Sequence, residues 1–236
     1  MRKAVVLAGG KGTRLAPYTT VFPKPLMPLG ETPILEIVLR QLTRAGFRDV
    51  TLAVGHLASL IEAYFGNGER VGLSLRYSRE DEPLGTAGPL ALIDGLDEPF
   101  LVMNGDVLTT LDYGFFLADH IASGAVATIS TFRRTQTVDF GVIETDAQGM
   151  VSGYREKPRS EYLVSMGVSA LSPEALQVVT PGERLDVPEF MLRLVDAGQP
   201  VRSSLFDGYW LDIGRHDDFV LAQDEFGAHA EEFLNP

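Results

Sequence analysis

The stretch AVVLAGGKGTRLAPYTTVFPKP, residues 4–25, decides how this chain reads. Its first four residues are an apolar run that predicts a buried strand. Gly9, Gly10 and Gly12 then allow a tight turn whose backbone N–H groups stay uncovered. Lys11 and Arg14 lie inside that turn. Lys24 stands between Pro23 and Pro25, and a proline restricts the residue before it to extended geometry, so Phe22 and Lys24 are expected to be stiff and extended. A strand, a glycine turn with free amides and fixed cations suit a polyphosphate. The first expectation is a phosphate cradle, and its plain alternative is a solvated basic N-terminus on an ordinary α/β protein.

Charge separates the two. The chain as a whole carries −12, yet residues 1–30 hold Arg2, Lys3, Lys11, Arg14 and Lys24 with no acid before Glu31. A local excess of five positive charges in an acidic protein suggests an anion site; a nucleic-acid surface would need basic residues spread over a face. Two other phosphate loops fail on spacing. There is no G-x-x-x-x-G-K-[ST], and the third glycine of G-x-G-x-x-G is missing, Leu15 standing three residues after Gly12.

With 236 residues and 45% hydrophobic content, the chain can bury one sizeable core. It has no cysteine, which excludes disulfides, thiolate metal sites and a cysteine nucleophile. The N-terminus lacks a signal pattern and no apolar run approaches a membrane span, so a cytoplasmic protein with no membrane partner is expected.

Onward from the cradle, helical spacing of Leu35, Val38, Leu39 and Leu42 is followed by Gly46. Residues 50–54 predict a second strand, 57–65 a second helix and 73–77 a third strand. This β-α-β-α-β order argues for a parallel sheet with helices on both faces, whose ligand crevice lies at the strand C-terminal ends. The segment EDEPLGTAG, residues 80–88, follows the third strand and precedes a helix expected near Pro89. It reads either as a surface turn or as a close-fitting loop that meets a flat heterocycle, with Glu80 accepting from base N–H groups. Residues 99–103 form a buried strand ending in Asn104-Gly105-Asp106. Asp106 is either a turn or cap aspartate or a Mg²⁺ ligand, since hard cations take carboxylate oxygen.

A helix over 113–123, with Phe115, Phe116 and Ile121 inward, leads to a strand over 126–132. From there the pattern changes: strands over 140–145, 150–155 and 163–171 are closely spaced, the first two joined by a hairpin signal, and read as antiparallel additions over the crevice. Lys157 is a second lysine held before a proline. Helices over 173–179 and 187–197 and a strand over 201–206 follow. Asp212, alone in the apolar run Trp210 to Ile213, is either a buried aspartate satisfied by backbone or the second carboxylate of a metal site with Asp106. Residues 215–236 predict a helix from about His216 and then a loose, polar end.

Taken in order, GGKGTRL (9–15), PKP (23–25), EPLGTAG (82–88), NGD (104–106), EKP (156–158) and WLDIG (210–214) resemble the sugar-1-phosphate nucleotidylyltransferases, also called NDP-sugar pyrophosphorylases. The string EPLGTAGPL most resembles the mannose-1-phosphate guanylyltransferases. The resemblance implies a three-layer α/β/α Rossmann-like nucleotidyltransferase fold with a mostly parallel central sheet and antiparallel additions. It implies one domain over 1–236: a nucleotide-binding half (1–112), a sugar-phosphate-binding half (113–225) and a tail (226–236).

It further implies transfer of a nucleotidyl group from an NTP, GTP favoured, to a sugar 1-phosphate, mannose 1-phosphate or a related hexose or heptose 1-phosphate, with release of pyrophosphate. Leu7 and Ala8 would bind the nucleotide, Gly9, Gly10, Gly12, Thr13 and Arg14 would hold its triphosphate, Lys24 would stand beside the α-phosphate and sugar phosphate, and Glu80, Pro83, Gly85 and Thr86 would meet the base. Gly141, Glu156 and Val168 would line the sugar, Lys157 its phosphate, and Asp106 and Asp212 would hold Mg²⁺. The catalytic set is then Arg14, Lys24, Asp106, Lys157 and Asp212. A homodimer or homotetramer is implied, and no nucleic-acid partner. Ser165-Met166-Gly167 stands where many relatives carry Asn-Ala-Gly, which leaves the sugar open, and the C-terminal β-helix of longer members is not in this sequence. The other substrate pairs are glucose 1-phosphate with a thymidylyl, uridylyl or cytidylyl donor; a non-catalytic sugar-nucleotide sensor is the other class.

The chemistry fits what the sequence lacks. A phosphate monoester has a second pKa of about 6, so the nucleophile is already ionised at neutral pH. No general base is needed, and none of the histidines, 56, 120, 216 and 229, sits in a motif. Positioning, cations and a divalent ion suffice for in-line displacement.

Overall fold

The structure is a computed structural model, and it describes residues 1–80 and 82–234. Asp81 within the 80–88 segment and the last two residues of the expected tail lie outside the described residues. The first half runs β1 (Arg2–Leu7), two-residue strands β2 (Pro28–Leu29) and β3 (Thr32–Pro33), α1 (Ile34–Arg44), β4 (Phe47–Val54), α2 (Ala58–Phe65), β5 (Ser74–Arg79), β6 (Phe100–Asn104) and β7 (Val107–Thr109). The second runs α3 (Tyr113–Ser123), β8 (Ala127–Thr137), β9 (Val142–Thr145), β10 (Val151–Arg155), β11 (Arg159–Leu171), α4 (Val187–Asp196), β12 (Val201–Phe206), β13 (Trp210–Asp212) and α5 (His216–Leu234).

Seven strands form the main sheet in the order β12-β8-β11-β6-β1-β4-β5. All neighbours are parallel except β11, which runs antiparallel to both β6 and β8. The expected α/β architecture is therefore present. β1 shows why it forms. Ala4 and Val6 join the core on the α1–α3 face, while Val5 joins the opposite core with Phe100, Phe190 and Leu194. A strand buried on both faces needs the near-continuous apolar run that parallel sheets show. The chain leaves β1 toward β4 and β5 on one side and returns to β6 on the other. That reversal opens a crevice beyond the C-terminal ends of β1, β4 and β6.

Several expectations are corrected. On α3, Phe115 and Ile121 are 71% and 55% exposed, whereas Tyr113, Phe116, Leu117 and His120 are buried. The 3.6-residue stripe runs through 113, 116, 117 and 120, one residue out of phase with the aromatic pair. The helices expected near Pro89 and over 173–179 are 3-10 turns, Gly88–Leu92 and Pro173–Val178. Lys24 opens a 3-10 turn, Lys24–Leu26, instead of remaining extended.

The tail is not loose. α5 continues, bent at His229, to Leu234, and Phe226 and Phe233 are buried in a third core with Leu15, Leu29, Ile34 and Ile37. Gln41 Nε2 donates to the Phe233 carbonyl at 2.8 Å. Phe219, Ala222, Phe226, Ala230 and Phe233 keep helical spacing beneath a polar surface, and that spacing carries the segment onto the molecule. Among the described residues no helix is long and apolar enough to cross a membrane.

Candidate active site

The glycine turn departs from β1 into the crevice. Gly12 has φ +60°, and a Cβ there would lie 3.0 Å from Thr19 Cγ2 and 3.2 Å from Lys24 Cβ. Only glycine takes this left-handed position cheaply while packed so closely. The turn closes on itself through Leu15 N–H to the Gly12 carbonyl (2.9 Å) and Thr19 Oγ1 to the same oxygen (2.8 Å). His56 N–H donates to the Gly9 carbonyl at 3.3 Å, tying the turn to the end of β4.

A cavity of about 750 Å³ lies over this turn. Leu7, Gly9, Gly10, Gly12, Thr13 and Arg14 line one wall, with Lys24 beside them. Glu80, Pro83, Gly85 and Thr86 line another, and Asp106 a third. Ala8, expected here, is instead buried, its N–H bonded to the Ala53 carbonyl at 2.8 Å.

The two aspartates meet through a strand pair that the sequence did not reveal. β7 and β13 are three residues each and pair antiparallel, with Asp212 opposite Val107. Ile213 N–H donates to the Asp106 carbonyl at 3.1 Å. Lys24 Nζ, nearly buried, is ion-paired with Asp106 Oδ2. The other oxygen, Asp106 Oδ1, is buried without a hydrogen-bond partner. Burial, and then the Asp106 charge, hold the Asp212 carboxyl above the usual aspartate range, with Lys24 and Arg14 pulling the other way. Arg14 comes close: a Cβ on Gly214 would lie 3.3 Å from Arg14 Nη1 and equally 3.3 Å from Asp212 Oδ2.

Among the described residues no group of three or more histidine, aspartate or glutamate side chains gathers as a metal site. Two carboxylates, one with an orphaned buried oxygen, nevertheless fit a hard divalent ion that keeps waters and phosphates as its other ligands.

Glu80 closes the site at the end of β5. Its Oε2 accepts from Leu84 N–H at 2.7 Å, and burial raises its carboxyl while that bond opposes the rise. Oε2 therefore shapes the 83–86 loop, while Oε1 faces the glycine turn, 3.2 Å from where a Cβ on Gly9 would lie.

Besides Ala8, five expected residues do not line the cavity: Asp212, which stands on β13 opposite Val107, and four others. Gly141, Glu156 and Lys157 belong to an arm made of the β9–β10 hairpin and the outer ends of β8 and β11, where Glu156 and Lys157 are exposed. Val168 is fully buried in the core on β11, because strand alternation turns its side chain into the α1–α3 face. Near it, the ladder between β8 and β11 is irregular between Ser165 and Ser169. This bulge brings Gly167 against the Asn104 amide, and Trp210 Nε1 donates to the Met166 carbonyl at 3.0 Å.

Sequence reasoning missed Asn104, Gly55 and His56 as lining residues. Their position was the available signal: each follows or ends a strand beside β1, where such sheets build their crevice.

Comparison with known proteins agrees with this geometry. A family model described as nucleotidyl transferase matches residues 3–228. A UTP–glucose-1-phosphate uridylyltransferase of Synechocystis is 35% identical over 240 residues, covering 93% of this chain and 62% of that protein. A mannose-1-phosphate guanyltransferase of Candida albicans is 35% identical over 233 residues, covering 92% and 62%. Among solved structures, HddC from Yersinia pseudotuberculosis complexed with GMP-PN superposes with a TM-score of 0.72 at 24% identity, over 96% of this chain and all of that one. The chain spans a little under two thirds of the length of these two curated relatives.

Proposed function

The chain belongs to the nucleotidyl transferase family, and on that premise we propose that it joins a nucleoside triphosphate to a sugar 1-phosphate. An oxygen of the sugar phosphate attacks the α-phosphorus of the NTP, a P–O bond forms, and the bond to the β-phosphate breaks. NDP-sugar and pyrophosphate are the products. One observation carries this reading: Asp106, with its orphaned oxygen, lines the glycine-turn cavity ion-paired with Lys24, and the neighbouring Asp212 feels the charges of Asp106, Lys24 and Arg14.

The residues divide the work by chemistry. Backbone amides of residues 9–13 cradle the triphosphate, and Arg14 and Lys24 offset the charge that builds at the α-phosphate. Asp106 and Asp212 would hold Mg²⁺, which would supply positive charge to offset the negative charge that builds in the displacement. Lys157 is assigned the sugar phosphate, with Gly141 and Glu156 toward the sugar, all three by the motif resemblance; Val168, which the resemblance also names, has its side chain in the core. No side chain is asked to remove a proton.

GTP with mannose 1-phosphate is the favoured pair. The loop EPLGTAG and the acceptor oxygen of Glu80 support a base that presents N–H groups, as guanine does. The Synechocystis relative keeps UTP with glucose 1-phosphate as the second reading, since a single imide N–H also satisfies a carboxylate. A cytoplasmic setting and assembly as a homodimer or homotetramer belong to the same proposal, the latter checked by light scattering.

The test is a panel of GTP, UTP, dTTP and CTP against mannose, glucose and heptose 1-phosphates under Mg²⁺, scored by pyrophosphate release. The expected maximum of kcat/KM is GTP with mannose 1-phosphate. A maximum at a pyrimidine nucleotide with glucose 1-phosphate selects the second reading. Tight NDP-sugar binding with no pyrophosphate released from any pair would refute catalysis.

A further inference from the structure

The segment that precedes α4 has no part in the chemistry above, yet it grips the loop assigned to the base. Asp186 occupies the N-cap position of α4 with extended backbone, φ −97° and ψ 152°. A carboxylate there ordinarily accepts from the first turn of its own helix. Asp186 makes no such bond. Its Oδ1 instead accepts from Thr86 N–H at 3.0 Å and from the Thr86 hydroxyl at 3.3 Å. Thr86 Oγ1 in turn accepts from Val187 N–H, the first helical residue of α4, at 2.8 Å. The two segments, a hundred residues apart in sequence, bond reciprocally: Thr86 caps α4 and Asp186 holds Thr86.

Main-chain bonds run alongside. Leu185 N–H donates to the Leu84 carbonyl at 2.9 Å, and Ala87 N–H to the Leu185 carbonyl at 2.8 Å. Gly85, at φ +80°, is pressed so closely that a Cβ would lie 2.5 Å from the Leu185 carbonyl and 2.8 Å from Asp186 Oδ1. The cavity-lining loop is thus held between two carboxylates, Glu80 through Leu84 N–H and Asp186 through Thr86.

We propose that Asp186 is a positioning residue for nucleotide selection: acting through Thr86, it holds the 83–86 edge of the cavity at the spacing that fits one nucleobase. This deepens the function proposed above and rests on it. The side-chain bonds of Asp186 go to Thr86 and not to Arg14, Lys24, Asp106 or Asp212, so its loss acts on the loop assigned to the base and leaves the displacement intact. The carboxylate accepts two bonds from Thr86. Losing the stronger of them, the charge-assisted bond from Thr86 N–H, corresponds to a factor on the order of tenfold, which reaches nucleotide binding through the loop.

The test is steady-state kinetics of the wild type, Asp186→Ala and Asp186→Asn on the NTP panel, with circular dichroism to verify the fold. Wild-type turnover decides whether the underlying reading stands; the variants decide this proposal alone. For Asp186→Ala the KM for the preferred NTP is expected to rise about tenfold. The ratio of kcat/KM between preferred and second NTP is expected to fall by a similar factor, with kcat and the sugar-phosphate KM within about twofold of wild type. Asp186→Asn, whose amide oxygen still accepts from Thr86, is expected to recover most of that loss. If Asp186→Ala is folded and keeps its NTP KM and discrimination, the proposal is overturned. If Asp186→Asn, folded, loses kcat and both KM values alike, Asp186 serves the fold as a whole and the proposal is equally overturned.

Discussion

Replacing Lys24 by methionine tests the electrostatic centre of the site. Lys24 and Asp106 form an ion pair whose side chains are 9% and 23% exposed. Unit charges in contact are worth about 4 kcal/mol at an effective dielectric near 20. Removing one partner of a buried pair costs about 3–5 kcal/mol, because the remaining charge is left without compensation. The exposed flank of Asp106 reduces this, whereas its unpartnered Oδ1 and the neighbouring Asp212 increase the burden on the lone carboxylate. We expect Lys24→Met to lose about 2–3 kcal/mol without metal or nucleotide, a fall in Tm of about 5–10 °C for a chain of this size.

Asp106→Asn in the same background removes the orphaned charge and is expected to restore about half of that loss, so with Asp106→Asn alone costing under about 0.5 kcal/mol the double-mutant cycle shows coupling of about 1–2 kcal/mol. Adding Mg²⁺ should raise the Tm of Lys24→Met more than that of wild type, since a divalent ion replaces the missing cation. Urea denaturation and thermal melts at neutral pH measure all of these. An unchanged Tm with zero coupling would show that the two charges are not interacting in a low-dielectric site, and the account of the centre would fail.

Arg14→Ala is expected to lower kcat about 10²–10³-fold in pyrophosphate-release assays, the loss typical of one transition-state charge contact; near-normal turnover would refute the cradle. Because burial and Asp106 raise the Asp212 carboxyl in the folded state, the folded protein binds that proton more tightly than the unfolded chain. Its contribution to stability is therefore present below the unfolded value of about 3.9 and is lost as pH rises through the higher folded value. Urea titrations of wild type and Asp212→Asn across the acid range should differ by that slope, and parallel curves would contradict it. Phe233→Ala, which truncates a ring only 1% exposed, is expected to cost about 3–5 kcal/mol in urea unfolding; a loss under about 0.5 kcal/mol, usual for surface positions, would mean the C-terminal helix does not pack as described.

What the sequence disclosed depended on whether the signal was local. The cradle was legible because Gly9, Gly10, Gly12 and Arg14 carry their chemistry within a few residues, and the sheet because apolar runs alternate with helical spacing. The convergence of Asp106 and Asp212 was legible only as a pair of motifs. The β7–β13 ladder that brings them together is three residues long on each side, too short for any periodicity to register. The phase of α3 is not legible locally, because rings at 115 and 116 are equally apolar and only packing decides which of the two is inside. The end of α5 reads as polar because few apolar residues, among them Phe226, Ala230 and Phe233, mark its buried face. Gly141, Glu156 and Lys157 illustrate a different limit: a motif names residues, but a solvent-facing arm decides where they sit relative to the cavity.

The indole of Trp210 gives the molecule a built-in optical label. It is the sole tryptophan, it stands two residues before Asp212, it donates to the Met166 carbonyl, and it packs 5.4 Å from the Phe132 ring. Every photon emitted after excitation at the red edge of the aromatic band therefore originates at the junction of the aspartate-bearing strand with the β11 bulge. Titrating a nucleotide, a sugar phosphate or a divalent ion into unmodified protein turns that emission into a direct record of what happens at this junction, free of background from any second fluorophore of its kind.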